Sequence, residues 1–249
     1  MNTAKYGLIG KTLKHSFSKD FFEKYFLKKS IQANYENIEL DNISALQDFL
    51  KKEIFQFKGL NVTIPYKETV LPFLDSLTEE AQEIGAVNTI QVIDNKLVGH
   101  NTDAFGFHQS IKPFLTNRHE KALILGTGGV SKAVTFVLKK IGLDVLYVSR
   151  SKTGELIFSY EAINEHMIQA CKCIINTTPV GMYPQENETI DIPYLYLTPD
   201  HLVIDLIYNP TETLFLKNAN IQGAMTLNGL SMLKEQAMEA WRFWNDEQY

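Results

Sequence analysis

The 249-residue chain has only two cysteines, Cys171 and Cys173, too few for a disulfide framework. They stand two apart in an apolar, strand-like run, where alternate residues share a face. A turnless pair at that spacing makes poor disulfide geometry, so both are read as reduced packing thiols. Basic charge is scarce as well. Lys and Arg number 24 against 29 Asp and Glu, a net charge of −5, so no basic face awaits nucleic-acid phosphates. No apolar stretch approaches the roughly 18 residues of a membrane span. The N-terminus, MNTAKYGLIG, enters a strand pattern at once instead of following a signal-peptide layout. The six histidines show no HxxxH spacing and there is no CxxC, so no metal site is expected. Repeats, low-complexity tracts and like-charge runs are all absent. These exclusions point to the cytoplasm, and the expectation is a small-molecule partner and a monomer or homodimer.

What is present is an ordinary globular composition, 45% hydrophobic and 21% charged, long enough for two modest domains. Strand and helix patterns alternate. KYGLIG (5–10) reads as a strand, and Ser18 is placed to cap a helix carrying Phe21, Phe22, Tyr25 and Phe26 at helical spacing. NYENIEL (34–40) alternates as a strand does, 43–54 reads as helix, and KGLNVTIP (58–65) is a strand stopped by Pro65. Asp94-Asn95 marks a hairpin turn between two strands, before a helix over 104–115. KALILG (121–126), DVLYVSR (144–150), CKCIINTT (171–178), HLVIDLIY (201–208) and GAMTL (223–227) are further strands. Helices are expected over 129–141 and over 229–245. Such alternation predicts an α/β fold with parallel sheets and helices on both faces.

Two segments carry chemistry. NVTIPYK ends a strand on Lys67, and VGHNTD ends another on Asp103, each among small hydrogen-bonding side chains. A lysine so placed can donate a proton to a polar substrate, and a nearby carboxylate keeps it charged and oriented. Asp103, opening a helix, is also suited to be its N-cap.

GTGGVSKA (126–133) lies between a strand and a helix, the context of a dinucleotide-binding loop. Gly126 permits the tight turn, and Gly128 lets backbone approach a pyrophosphate. The amides opening the helix, at Gly129 and Val130, hold the anion with the helix dipole. The third fingerprint position is Ser131, small but not glycine. At the end of the next strand an NAD enzyme would present an acid to the ribose. Here stand Ser149, Arg150, Ser151 and Lys152, a group suited to a 2′-phosphate, so the expected cofactor is NADP.

From Lys5 to about Trp244 the chain resembles the shikimate dehydrogenases. The resemblance rests on KHSFS (14–18), NVTIPYK, GAVNT, GHNTD, GTGGVSKA, SRS, NTTPVGM (176–182), IYNP (207–210) and GLSMLKEQA (229–237), in that order. It implies a substrate domain of 1–103 plus 229–249 with a mainly parallel sheet. A Rossmann-like NADP domain of 104–228 follows, and the C-terminal helix packs back on the first domain. It also implies reversible, NADPH-dependent reduction of 3-dehydroshikimate to shikimate, a step towards aromatic amino acids. Lys67 would be the acid/base and Asp103 its partner. Ser16 and Ser18 would hold the carboxylate, while Asn61, Thr63, Asn88, Thr102 and Gln236 meet the rest of the substrate. Tyr208 would reach it from the cofactor side. Gly126, Gly128, Gly129, Val130, Thr177, Met182 and Gly229 would lie along the cofactor, with Ser149, Arg150 and Ser151 at its 2′-phosphate. Closure of a cleft, with hinges at 102–105 and 228–230, would exclude water.

Other roles stay open at several positions. Ser16 and Ser18 can cap the first helix, Tyr208 can be a packed strand-end residue, and Gln236 shares a helical face with Met232 and Ala240. His15 adjoins no cysteine or carboxylate cluster and is read as structural. The family often has proline where Thr12 and Lys19 stand, asparagine at Ser149, and glycine at Ser231. Rival functions are a quinate/shikimate dehydrogenase using NAD(P), a folate-type methylene dehydrogenase, and a non-catalytic NADP-sensing module.

Overall fold

The computed structural model describes residues 3–14 and 16–245 and divides into two compact units, Met1–Thr102 with Ala237–Tyr249, and Asp103–Gln236. His15 lies outside the described residues.

The first unit is built from β1 (Ala4–Gly10), α1 (Phe17–Lys29), β2 (Ala33–Glu39), α2 (Ile43–Lys52), β3 (Gly59–Val62), α3 (Tyr66–Thr69), β4 (Ser76–Leu77), α4 (Glu79–Ile84), β5 (Thr89–Ile93) and β6 (Lys96–His100). The strands form one sheet in the order β2-β1-β3-β5-β6-β4. β1 runs parallel to β2 and β3, and β4 parallel to β6, while β3–β5 and β5–β6 are antiparallel. The antiparallel pair β5–β6 turns at Asp94 and Asn95, with φ of 50° and 58°. Two left-handed residues in a two-residue loop match strand twist, the reason Asp-Asn suits this turn.

The second unit continues through α5 (Thr102–Ile111), β7 (Lys121–Leu125), α6 (Gly129–Lys140), β8 (Asp144–Val148), β9 (Ile157–Phe158), α7 (Glu165–Ala170), β10 (Cys173–Asn176), β11 (Leu202–Asp205), α8 (Leu214–Ile221) and β12 (Met225–Leu227). Its sheet runs β12-β11-β10-β7-β8-β9, with every pairing parallel. Parallel strands covered on both faces read as unbroken apolar runs, and β10 and β11 are buried at every position. Strand order reverses between β7 and β10, the switch point at which such sheets take ligands.

The last helix, α9 (Leu230–Asn245), gives its C-terminal half to the first unit. Trp244 is buried there, and its indole N–H donates to the Ile90 carbonyl at 3.0 Å. A Cβ on Gly59 would fall 2.1 Å from the Trp244 ring, so only glycine lets β3 meet this helix.

Several boundaries differ from the sequence reading. α1 begins at Phe17, placing Ser16 at the N-cap and Ser18 inside the first turn. The helix expected over 104–115 starts at Thr102 and ends at Ile111, because Pro113 turns the next residues into a 3₁₀ segment, Lys112–Phe114. The 43–54 helix stops at Lys52, and the 58–65 strand at Val62. Cys171 caps α7 and only Cys173 lies in β10, so the pair does not share a strand face. Both thiols are free and buried, and burial pushes them up to about 11 and about 12.

Candidate active site

In the first unit the candidate residues gather where β1, β3 and β6 end. Thr63 leaves β3 with its amide bonded to the Ile9 carbonyl at 2.8 Å and accepts the Tyr66 amide on its own carbonyl. That turn starts α3, which carries a half-buried Lys67. The Lys67 carbonyl accepts the Val87 amide at 2.7 Å, fixing the lysine backbone beside Asn88.

Asn88 joins a buried polar lattice. Its Oδ1 accepts the Thr102 amide at 2.7 Å and the Thr89 hydroxyl at 3.1 Å, and its Nδ2 donates to Thr102 Oγ1 at 3.0 Å. Asn61 Nδ2 donates to the Asn88 carbonyl at 3.3 Å and to Thr89 Oγ1 at 3.2 Å, while its Oδ1 accepts the Tyr35 hydroxyl at 2.8 Å. Asn61, Asn88 and Thr102 are thus brought together, each oriented by its neighbours. Ser18, half-buried in the first turn of α1, lies on the Tyr35 side of this lattice. Ser16, at the N-cap of α1, makes no cap bond, and its buried Oγ has no partner among the described residues. A buried hydroxyl without a partner is disfavoured unless something else meets it, so this oxygen fits a ligand's polar group. His100, a neighbour in the chain, is not a proton carrier at neutral pH. Burial lowers it to about 4, and it stacks on Phe243 with its Nδ1 against Thr78 Oγ1.

In the second unit Asp103 is buried in the first turn of α5. Gly126 follows β7 with φ +107°, and a Cβ there would lie 2.8 Å from Thr177 Oγ1. Thr177 in turn donates its hydroxyl to the Leu125 carbonyl at 2.8 Å, closing the two loops at the switch point onto each other. A Cβ on Gly128 would meet nothing within 4 Å. Packing therefore does not require glycine at 128, and the open space beside its backbone suits an approaching diphosphate. Gly129 and Val130 open α6, and Ser131, in the place of a third glycine, is buried with its hydroxyl donating to the Gly128 carbonyl at 2.5 Å. Serine here ties the loop to its helix.

After β8, the buried Ser149 Oγ accepts the amides of Ser151 at 3.3 Å and Lys152 at 3.0 Å. This turn leaves Arg150 and Ser151 exposed, and Lys152 Nζ donates back to the Thr127 carbonyl at 3.0 Å. One cation, Lys152, thus reaches the glycine loop, and no carboxylate stands at 149–151. Met182 is exposed beyond the Thr177 loop. Tyr208 is half-buried past β11, and the Gly229 amide donates to the Ile207 carbonyl at 2.9 Å. Gln236 packs over Gly106, where a Cβ would lie 3.0 Å from its own Cβ. Among the described residues, no three His, Cys, Asp or Glu are grouped to hold a metal, and no helix is long and apolar enough to cross a membrane.

The family model for the shikimate dehydrogenase substrate binding domain matches residues 8–90. A shikimate dehydrogenase (NADP(+)) of Carboxydothermus hydrogenoformans is 39% identical, over 96% of this chain and 90% of that protein. The chain belongs to the shikimate dehydrogenase family. Among solved structures, shikimate dehydrogenase from Aquifex aeolicus superposes with a TM-score of 0.85 at 35% identity, covering 98% of this chain and 94% of that one. The Thermus thermophilus enzyme, solved with NADP(H) and shikimate, gives 0.86 at 31%, covering 97% and 93%.

The structure adds residues that the motifs passed over. Tyr35 and Thr89 complete the lattice around Asn61 and Asn88. Asp205, at the end of β11, is fully buried. Its Oδ1 accepts from Asn176 Nδ2 at 3.0 Å and the Ile207 amide at 3.1 Å, and its Oδ2 accepts the Thr213 hydroxyl at 2.6 Å. Burial outweighs these bonds and raises its carboxyl to about 6. Asn176 passes the link on, accepting the Thr178 amide at 2.8 Å, so one carboxyl organises the loops bearing Thr177 and Tyr208. A charged residue inside the apolar run HLVIDLIY was the signal available for it.

Proposed function

We propose that the chain catalyses the reversible NADPH-dependent reduction of 3-dehydroshikimate to shikimate. The observation that carries this reading is the lattice of Asn61, Asn88 and Thr102, fixed next to the Lys67 backbone. It sets neutral hydrogen-bonding groups for ring hydroxyls around one protonatable amine. Ser16 and Ser18 take the carboxylate, and Asn61, Thr63, Asn88, Thr102 and Gln236 the hydroxyl-bearing ring. The Lys67 ammonium stabilises the alkoxide oxygen as it develops and donates a proton to it. In the oxidative direction the amine accepts that proton. Asp103 keeps the lysine charged and oriented, and Tyr208 approaches the substrate from the second unit. Gly126, Gly128, Gly129, Val130, Thr177, Met182 and Gly229 line the cofactor. Ser149, Arg150 and Ser151 receive its 2′-phosphate. When bound, NADPH supplies the hydride.

The test is absorbance at the reduced-nicotinamide band with purified protein, shikimate and NADP⁺, beside quinate and NAD⁺ controls. Rapid reduction with shikimate and NADP⁺ alone is expected. Equal rates with quinate or NAD⁺ would move the chain to the broader quinate/shikimate group. A 5-ketofructose arm is worth adding, because 5-ketofructose reductase of Gluconobacter sp. strain CHM43 shares the fold, with a TM-score of 0.84 at 28% identity. That sugar has no carboxylate for Ser16 and Ser18, so turnover of it in place of shikimate would overturn the reading.

A further inference from the structure

The buried Ser16 hydroxyl has no partner among the described residues and makes no cap bond to α1, so the side chain does not set its own position. The backbone does. The Ser16 amide donates to the Leu13 carbonyl at 3.0 Å, a turn bond from i+3 to i, so Ser16 hangs from Leu13. Leu13 is buried and lies in no strand or helix, yet its backbone groups still need partners. β2 supplies them. Glu39 Oε1 accepts the Leu13 amide at 2.6 Å, a short charge-assisted bond, and Asn37 Nδ2 donates to the Leu13 carbonyl at 3.3 Å.

The Leu13 side chain is seated as well. A Cβ on Gly10 would fall 2.6 Å from Leu13 Cδ2 and 2.7 Å from Thr63 Cγ2, so Leu13 and Thr63 close on the same bare backbone at the end of β1. The turn thus rests beside one member of the substrate set while it carries another. Glu39 stands exposed at the end of an edge strand, where core packing asks nothing of it. Its bond to Leu13 does have a consequence. Without Glu39 a buried amide loses its acceptor, which costs more than an exchanged bond, and the turn must open to water to satisfy it. Ser16 moves with that turn.

We propose that Glu39 is a positioning residue for carboxylate recognition: by holding the Leu13 amide it fixes the turn that presents Ser16 Oγ to the substrate carboxylate. Its effect on the substrate rests on the reading of Ser16 given above. Glu39 acts only through the backbone, so it serves substrate binding and takes no part in proton or hydride transfer.

The experiment compares Glu39→Ala, Glu39→Gln, Ser16→Ala and the double variant of Glu39→Ala with Ser16→Ala, with KM and kcat measured separately for shikimate and NADP⁺. Glu39→Ala is expected to raise the shikimate KM about tenfold, the effect of losing one charge-assisted hydrogen bond, while kcat and the NADP⁺ KM stay within about twofold. Glu39→Gln keeps an acceptor oxygen at the same reach and should recover most of that loss. The double variant is expected within about threefold of Ser16→Ala alone, because Glu39 acts through Ser16. An unchanged shikimate KM in Glu39→Ala overturns the proposal, whatever happens to the melting temperature, since that is how a purely structural glutamate behaves. A glutamine variant no better than alanine, or losses that multiply in the double variant, overturn it too. Amide hydrogen exchange of the ligand-free protein needs no turnover. Glu39→Ala should speed exchange at Leu13 and Ser16 at least about tenfold, and unchanged exchange overturns the proposal. Absence of shikimate turnover in the wild type, together with that faster exchange, refutes the substrate reading alone.

Discussion

Replacing Asp205 with asparagine should stabilise the protein at pH 8, although it removes a residue with three hydrogen bonds. The carboxyl is fully buried and none of those three partners is a cation. Its value rises from 3.8 to about 6 in the folded chain, burial being the largest cause. At about 1.36 kcal/mol per pH unit this difference is about 3 kcal/mol of preference for the protonated form. The sign follows from the raised value. The stabilising contribution is complete below 3.8 and is lost as pH rises through about 6, so at pH 8 the ionised group weighs against folding. Asparagine keeps Oδ1 for Asn176 and Ile207, and its Nδ2 can donate to Thr213 Oγ1 once that hydroxyl turns. The variant should therefore gain up to about 3 kcal/mol over wild type at pH 8. Between pH 8 and pH 5 wild type should recover roughly half of that difference. Urea unfolding of both proteins across this range measures it, and the subtraction cancels every other titrating group. A variant less stable than wild type at pH 8, with a difference that does not change with pH, would refute the reasoning.

Three further outcomes follow from the same geometry. Lys67→Ala should lower kcat by about 10²–10⁴, the range for losing a general acid, with an unchanged circular dichroism spectrum; turnover near wild type would remove Lys67 from the mechanism. Arg150→Ala should raise the NADP⁺ KM by about 10–100-fold, as expected for one charge-assisted hydrogen bond, and leave NAD⁺ kinetics unmoved. Trp244→Ala, which opens a cavity against Gly59 and orphans the Ile90 carbonyl, should cost about 3–5 kcal/mol of stability by urea unfolding.

How far the sequence could be read depends on the range over which each signal acts. β7 was legible because KALIL is an unbroken apolar run followed by glycine. The β5–β6 turn was legible because Asp-Asn tolerates positive φ. Two-residue strands such as β4 and β9 carry no periodicity, and nothing local announces them. Lys67, Asp103 and the glycine loop stand out as candidates because their residue types are compressed into contiguous motifs. Tyr35 and Asp205 do not, since their meaning lies in partners 26 and 29 positions away. In sequence, Tyr35 is one more aromatic in an alternating strand and Asp205 one acid in an apolar run.

The two units meet the problem of holding polar groups near strand ends in different ways. In the first unit the lattice is neutral: hydroxyls and amides satisfy one another. Such a lattice can re-pair when a substrate of several hydroxyls enters, because every member is both donor and acceptor. In the second unit the organiser is a carboxyl that can only accept once ionised, so Asn176, Ile207 and Thr213 are held in one arrangement. A rigid loop suits a cofactor whose contacts are the same in both directions of a reversible reaction. A re-pairing lattice suits a substrate whose ketone and alcohol forms exchange an acceptor for a donor at one ring position.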